Sequence, residues 1–131
     1  MKTKRIYLLA MMVLVLMMAG CATFAKDQYR ALALTQETYN LAWGNFKKLY
    51  DEKAVDSKGN IIIDDFTYAN GLKFANQYYD AWQAWIDSVI AYEKVKTPEA
   101  KLTVEQKANL FREISIKFLD LIEPYIKKGG L

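Results

Sequence analysis

Phe74–Tyr92 reads FANQYYDAWQAWIDSVIAY, and this stretch decides the fold. Phe74, Tyr78, Ala81, Trp85, Val89 and Tyr92 recur every three or four residues. That is the period of one face of an α-helix. A second apolar series runs beside it: Leu72, Tyr79, Trp82, Ile86 and Ile90. A strand would alternate with a period of two, which neither series does. A surface helix carries one apolar stripe, so two stripes predict a helix with a neighbour on each side. The segment therefore reads as the central helix of a bundle, ending near Lys96.

Working outward from it predicts one helix before and one after. The first spans about Lys26 to Lys53, with Tyr29, Leu32, Tyr39, Trp43, Phe46 and Tyr50 on one face, broken once by Gln36. Leu34, Leu41 and Leu49 widen its apolar surface, and Gly44 is a weak point that a long helix tolerates. DSKGN (Asp56–Asn60) has turn composition. The β-branched run Ile61–Ile63 is too short for a sheet and is expected to cross the bundle end extended. Asp64 or Asp65 then caps the second helix. Thr97-Pro98-Glu99 stops that helix, with Thr97 as N-cap and Pro98 at the first position of the next. Thr103 with Gln106 has the form of a capping box, which predicts a short turn before the main third helix. That helix carries Phe111, Ile114, Phe118, Leu121, Ile122 and Tyr125. Pro124 is expected to kink or restart it, and Gly129-Gly130 to end it. The fold class is all-α, an elongated three-helix up-down-up bundle with helices about 40 Å long.

The chain before this bundle differs in kind. All five Met lie in the first eighteen residues, as do the basic residues Lys2, Lys4 and Arg5, with no acidic residue. Of the 18 basic residues in the chain, 15 remain beyond Cys21 against 15 acidic ones. The net charge of +3 thus belongs to the leader, and the rest offers no basic cluster for nucleic acid. MKTKR followed by the uncharged IYLLAMMVLVLMMAG is the layout of a secretory signal, a basic start and an apolar core. A spanning helix needs about 20 apolar residues, and this run is shorter.

Met18-Ala19-Gly20-Cys21 closes the leader, and here the sequence resembles the bacterial lipoprotein class. In that class a Leu-Ala-Gly-Cys-like box follows the signal. Ala19 and Gly20 match its small positions, Cys21 matches the modified residue, and Met18 departs from the usual Leu. The resemblance covers residues 1–22. It implies that residues 1–20 are removed by cleavage between Gly20 and Cys21. It also implies that the Cys21 sulfur carries diacylglycerol and its amino group an N-acyl chain. Residues 21–25 then form a short tether and 26–131 the bundle. Ala22, where Asp would signal inner-membrane retention, favours the outer membrane, on its periplasmic face, in a Gram-negative cell. In a cell with one membrane the chain would sit on that membrane's outer face. One cysteine allows no internal disulfide.

Chemistry in the bundle is sparse by sequence. With no histidine the commonest general base and metal ligand are missing. AVDSKGNIIIDDF faintly echoes a calcium loop, but Ala54 and Lys58 stand where oxygen ligands are needed, leaving Asp56 and Asp65. It reads as a plain connection, and no metal or other cofactor is expected beyond the acyl chains. Asp80, Asp87 and Glu93 follow one another along the second helix. Paired carboxylates across a cleft would suit hydrolysis of an envelope polymer, but a rod offers no obvious cleft. The densest aromatic patch is YYDAWQAW (Tyr78–Trp85). Tyr78, Tyr79, Trp82, Trp85 and Ile86 are the expected partner-binding residues, since two neighbours cannot fully cover both faces. The expected function is a non-enzymatic, membrane-anchored module that docks a protein. Binding of cell wall or glycan through the same aromatics is the alternative.

Overall fold

The computed structural model describes the backbone of residues 2–131 and the side chains of residues 23–131. Three helices follow in order: α1 (Lys2–Asp51), α2 (Asp65–Val95) and α3 (Pro98–Lys128). They form the expected all-α up-down-up bundle, with α2 and α3 packed most extensively and α1 laid against both. Among the described residues the only β-type pairing is an isolated antiparallel bridge between Val55 and Ile61.

Each junction has a local cause. Lys53 takes positive φ (51°) after α1, and the Ala54 N–H donates to the Leu49 carbonyl at 3.0 Å. Asp56 then closes the DSKGN turn, its Oδ1 accepting from the Lys58 and Asn60 amides at 2.8 and 3.0 Å. Gly59 supplies the left-handed residue (φ 81°) that the turn requires. The chain bends at Ile62 and Ile63 as it crosses the bundle end, so this run is not extended as its composition suggested; both residues are buried and Ile61 is exposed. Asp64 caps α2, its carboxylate accepting from the Thr67 amide at 2.7 Å. At the other end Lys96 turns left-handed (φ 47°) and donates to the Tyr92 carbonyl, and the Thr97 side chain accepts from the Ala100 amide. Pro98 opens α3, where its missing N–H costs nothing.

Three further expectations change. Thr103 starts no new helix. α3 is continuous from Pro98, and the Thr103 hydroxyl donates back to the Glu99 carbonyl at 3.1 Å, a partner already inside the helix. Pro124 does not restart α3, which runs on to Lys128. The carbonyl that Pro124 leaves without a donor belongs to Asp120, an exposed position open to solvent. The bundle also begins earlier than residue 26. Phe24, in the segment assigned to a tether, is helical and packs edge-on against Tyr92, ring centroids 5.0 Å apart.

The core is aromatic and centred on Tyr78. Its ring stacks on Tyr39 of α1 at 4.6 Å and meets Phe111 and Phe118 of α3 at 4.8 and 5.3 Å. Phe46, Phe118, Leu32, Ile122, Val89 and Val104 are fully enclosed around it. Gly71 of α2 lets α1 approach closely, since a Cβ there would lie 2.6 Å from Phe46 Cε1 and 3.4 Å from Trp43 Cζ3. Gly44 of α1 faces open space.

These two glycines should respond oppositely. Gly71→Ala forces the Phe46 ring aside and should cost about 1–3 kcal/mol. Gly44→Ala adds only helix propensity and should stabilise by about 1 kcal/mol. Urea midpoints of the two variants check both signs.

Candidate docking face on the second helix

The two apolar stripes of α2 have different fates. Phe74, Tyr78, Ala81, Trp85, Val89 and Tyr92 turn into the bundle, and all but the half-buried Phe74 are buried. Leu72, Tyr79 and Ile90 face solvent, with Trp82 and Ile86 half-buried between them. The five expected contact residues therefore divide. Tyr78 and Trp85 are 4% and 5% exposed and are core residues, so they cannot meet a partner. Tyr79, 53% exposed, stays available, flanked by Trp82 and Ile86.

Hydrogen bonds fix which ring goes where. Trp85 Nε1 donates to Gln28 Oε1 at 2.9 Å, Trp82 Nε1 to the Leu32 carbonyl at 3.1 Å, and the Tyr78 hydroxyl to the Thr35 carbonyl at 2.8 Å. The Tyr29 hydroxyl continues the seam toward the α2 terminus, donating to Glu93 Oε2 at 3.0 Å. Burial, then the nearby Tyr39 ring, pushes the Tyr78 hydroxyl from 10.0 up to about 12. Burial first, and then its bond to Glu93, also raises Tyr29.

Above this seam a small notch of about 90 Å³ opens between α1 and α2, lined by Gln36, Tyr39, Asn40, Tyr79 and Trp82 together with Tyr78. The Tyr79 and Trp82 rings lie 6.4 Å apart with planes 27° from parallel. A site that encloses a small molecule measures about 300–1,000 Å³, so the notch is a surface feature and not an enclosing pocket. The sequence held a trace of it in Gln36, the one polar break in the apolar stripe of α1. Gln28 left no such trace, because a polar residue at the edge of a helical stripe is ordinary.

The carboxylates do not converge. Asp80 is exposed, Asp87 accepts from Gln83 Nε2 at 3.0 Å, and Glu93 is taken by Tyr29. The calcium-like loop uses its acids on the backbone. Amide donors from Asn60 and Lys58 hold Asp56 below the usual carboxylate range, and the Thr67 side chain and amide do the same for Asp64. Asp65 Oδ1 accepts from the Tyr50 hydroxyl at 2.9 Å. Among the described residues no cluster of three acidic or cysteine side chains is placed to hold a metal ion. The side chain of Cys21 lies outside the described residues. No known protein family matches the chain, and neither a curated protein nor a solved structure resembles it.

The Tyr78 shift gives a signed pH dependence. Its hydroxyl ionises at about 12 when folded and near 10.0 when unfolded, so the stability it contributes is present below pH 10 and is lost as pH rises toward 12. Tyr29 and Tyr39 shift in the same direction. Urea midpoints recorded between pH 8 and about 12 should fall steeply above pH 10 and fall less in Tyr78→Phe. That variant should start about 1 kcal/mol less stable at neutral pH, having lost its bond to the Thr35 carbonyl.

Proposed function

We propose that this chain is a lipid-anchored lipoprotein of the bacterial envelope whose helical bundle acts as a non-enzymatic docking module for a protein partner. The observation that carries the docking reading is the divided fate of α2. One stripe fills the core while Leu72, Tyr79 and Ile90 remain open along the same helix, with Trp82 and Ile86 half-buried between them. Tyr and Trp set among aliphatic side chains are the usual anchors of protein interfaces, because they bury much area at little entropic cost. The anchor reading rests on Met18-Ala19-Gly20-Cys21 behind a signal-like leader. Among the described residues no helix is long and apolar enough to cross a membrane. Two acyl chains hold a protein stably where one does not.

A second reading has one observation in its favour. Tyr79 and Trp82 offer rings with planes 27° from parallel beside Gln36 and Asn40, a chemistry that suits a sugar face in cell wall or glycan. Trp82 has already spent its indole N–H on the Leu32 carbonyl, so it could add stacking but no hydrogen bond. The protein-docking reading accounts for the whole stripe, including Leu72 and Ile90, which a single sugar would leave uncovered.

Two measurements test this. Mass spectrometry of the membrane-extracted chain should find an N-terminus at Cys21 with diacylglycerol attached, and Cys21→Ser should abolish both the lipid and the cleavage. Cross-linking from a photoreactive residue at position 79 or 90 should yield a discrete protein adduct that Ile86→Asp removes without loss of helicity. Capture by purified cell wall with no protein adduct would replace docking with glycan binding.

A further inference from the structure

The end of the bundle next to Cys21 has a surface chemistry of its own. Phe24 lies three residues beyond Cys21, which is at most about 11 Å of chain. Its ring meets Tyr92 at the end of α2, and Lys101 Nζ of α3 sits over it at 5.0 Å. The α2–α3 turn is therefore held beside the attachment point. Residues 94–102 carry Lys94, Lys96 and Lys101 against Glu99 alone, and Glu99 occupies the first turn of α3, where the helix N-terminus offsets its charge. Two aliphatic side chains stand out from the same turn, Val95 at 60% and Leu102 at 54% exposed. Among the described residues one ion pair forms, Lys127 with Glu123, at the opposite end, so none of these three lysines is neutralised by a carboxylate. That opposite end carries both signs in balance: Asp51, Glu52, Asp56, Asp64, Asp65 and Glu123 stand there with Lys47, Lys48, Lys53, Lys58, Lys127 and Lys128.

We propose that the Lys94–Leu102 turn is a membrane-contact surface that lies on anionic phospholipid headgroups beside the acyl anchor and stands the bundle with its opposite end outward. The inference rests on the lipid-anchor reading of Cys21. Three features of the turn fit a lipid surface. Lysines near an anionic leaflet are each attracted over about a Debye length. Val95 and Leu102 can enter the interface between headgroups, as apolar residues of peripheral proteins do. Long lysine stems can reach past them to the phosphates. The anchor converts this weak attraction into a persistent one, because the turn is held within about 11 Å of the bilayer and never diffuses away.

Lysine acetylation footprinting tests the contact on the full chain as produced, reconstituted into vesicles of phosphatidylcholine with or without phosphatidylglycerol. Lys94, Lys96 and Lys101 should acetylate severalfold more slowly on the anionic vesicles, while Lys53 and Lys58 react equally on both. The difference should vanish near 1 M salt, where the screening length falls to about 3 Å. Lys94→Glu with Lys96→Glu should remove the protection of Lys101 at unchanged helicity. Equal rates at both ends of the unmutated chain, or protection that survives the double substitution, would overturn the contact. The N-terminal peptide from the same digest reports the mass on Cys21. Acylated Cys21 with unprotected lysines overturns the contact alone, whereas unacylated Cys21 overturns the anchor on which it depends.

Discussion

Three donors on α2 reaching into α1 set the architecture. An indole N–H or a phenol hydroxyl cannot be buried without an acceptor, and a helix face offers few. Trp85, Trp82 and Tyr78 find theirs at Gln28, Leu32 and Thr35, stepping back along α2 as they step forward along α1. Each bond contributes only about 0.5–1.5 kcal/mol net, but each donor left unpaired would cost about 1–3 kcal/mol. Sliding α1 by one residue would break all three together. The seam is therefore more important for register than for stability. It specifies which way α1 lies against a hairpin, α2–α3, that is already closely packed. Among the described residues no buried side-chain nitrogen or oxygen lacks a partner, so the arrangement is complete.

That seam also decides which side of α2 faces out. With Tyr78 and Trp85 pinned against α1 and in contact with Phe111 of α3, Tyr78 edge-on and Trp85 tilted, both neighbours of α2 lie toward its first stripe. The second stripe is then left at the margin, with Trp82 and Ile86 half-covered and Tyr79 and Ile90 open. A three-helix bundle gives each helix only two neighbours, and a fourth helix would be needed to cover the remainder. The open stripe is thus a geometric consequence of burying Tyr78 with all its contacts.

Much of the architecture was legible because it depends on local chemistry. The period of Phe74–Tyr92 and the caps at Asp64 and Thr97 follow from short-range rules that tertiary packing did not overrule. The division of the contact residues was not legible, since both stripes share one period and one composition. A hydrogen bond to a backbone carbonyl 43 residues away separates Tyr78 from Tyr79, and no pattern along the chain reports it. Thr103 misled for a related reason. A hydroxyl near a helix start satisfies the capping-box pattern, yet it can equally donate back within a helix already capped at Thr97. Gly71 left no trace in the sequence pattern, and only the packed structure shows that it sits where Phe46 needs room.

A lipid anchor at Cys21 and the open stripe would belong to one geometry. If Cys21 carries lipid, the short link to Phe24 keeps the Lys94–Leu102 end at the headgroups, because a chain of three residues cannot let a rigid bundle tumble far. Ile90 then lies nearest the membrane and Leu72 farthest from it. Eighteen helical residues separate them, a rise of about 27 Å. The docking face would stand as a narrow ladder rising from the bilayer surface along the side of α2. A partner able to cover it must itself come within a few ångströms of the membrane at one end and extend upward at the other. That requirement excludes a compact soluble ligand touching only the top of the bundle. It favours a partner whose own helix or strand edge stands upright at the same surface, where confinement to the membrane raises its local concentration and lets a modest apolar interface persist.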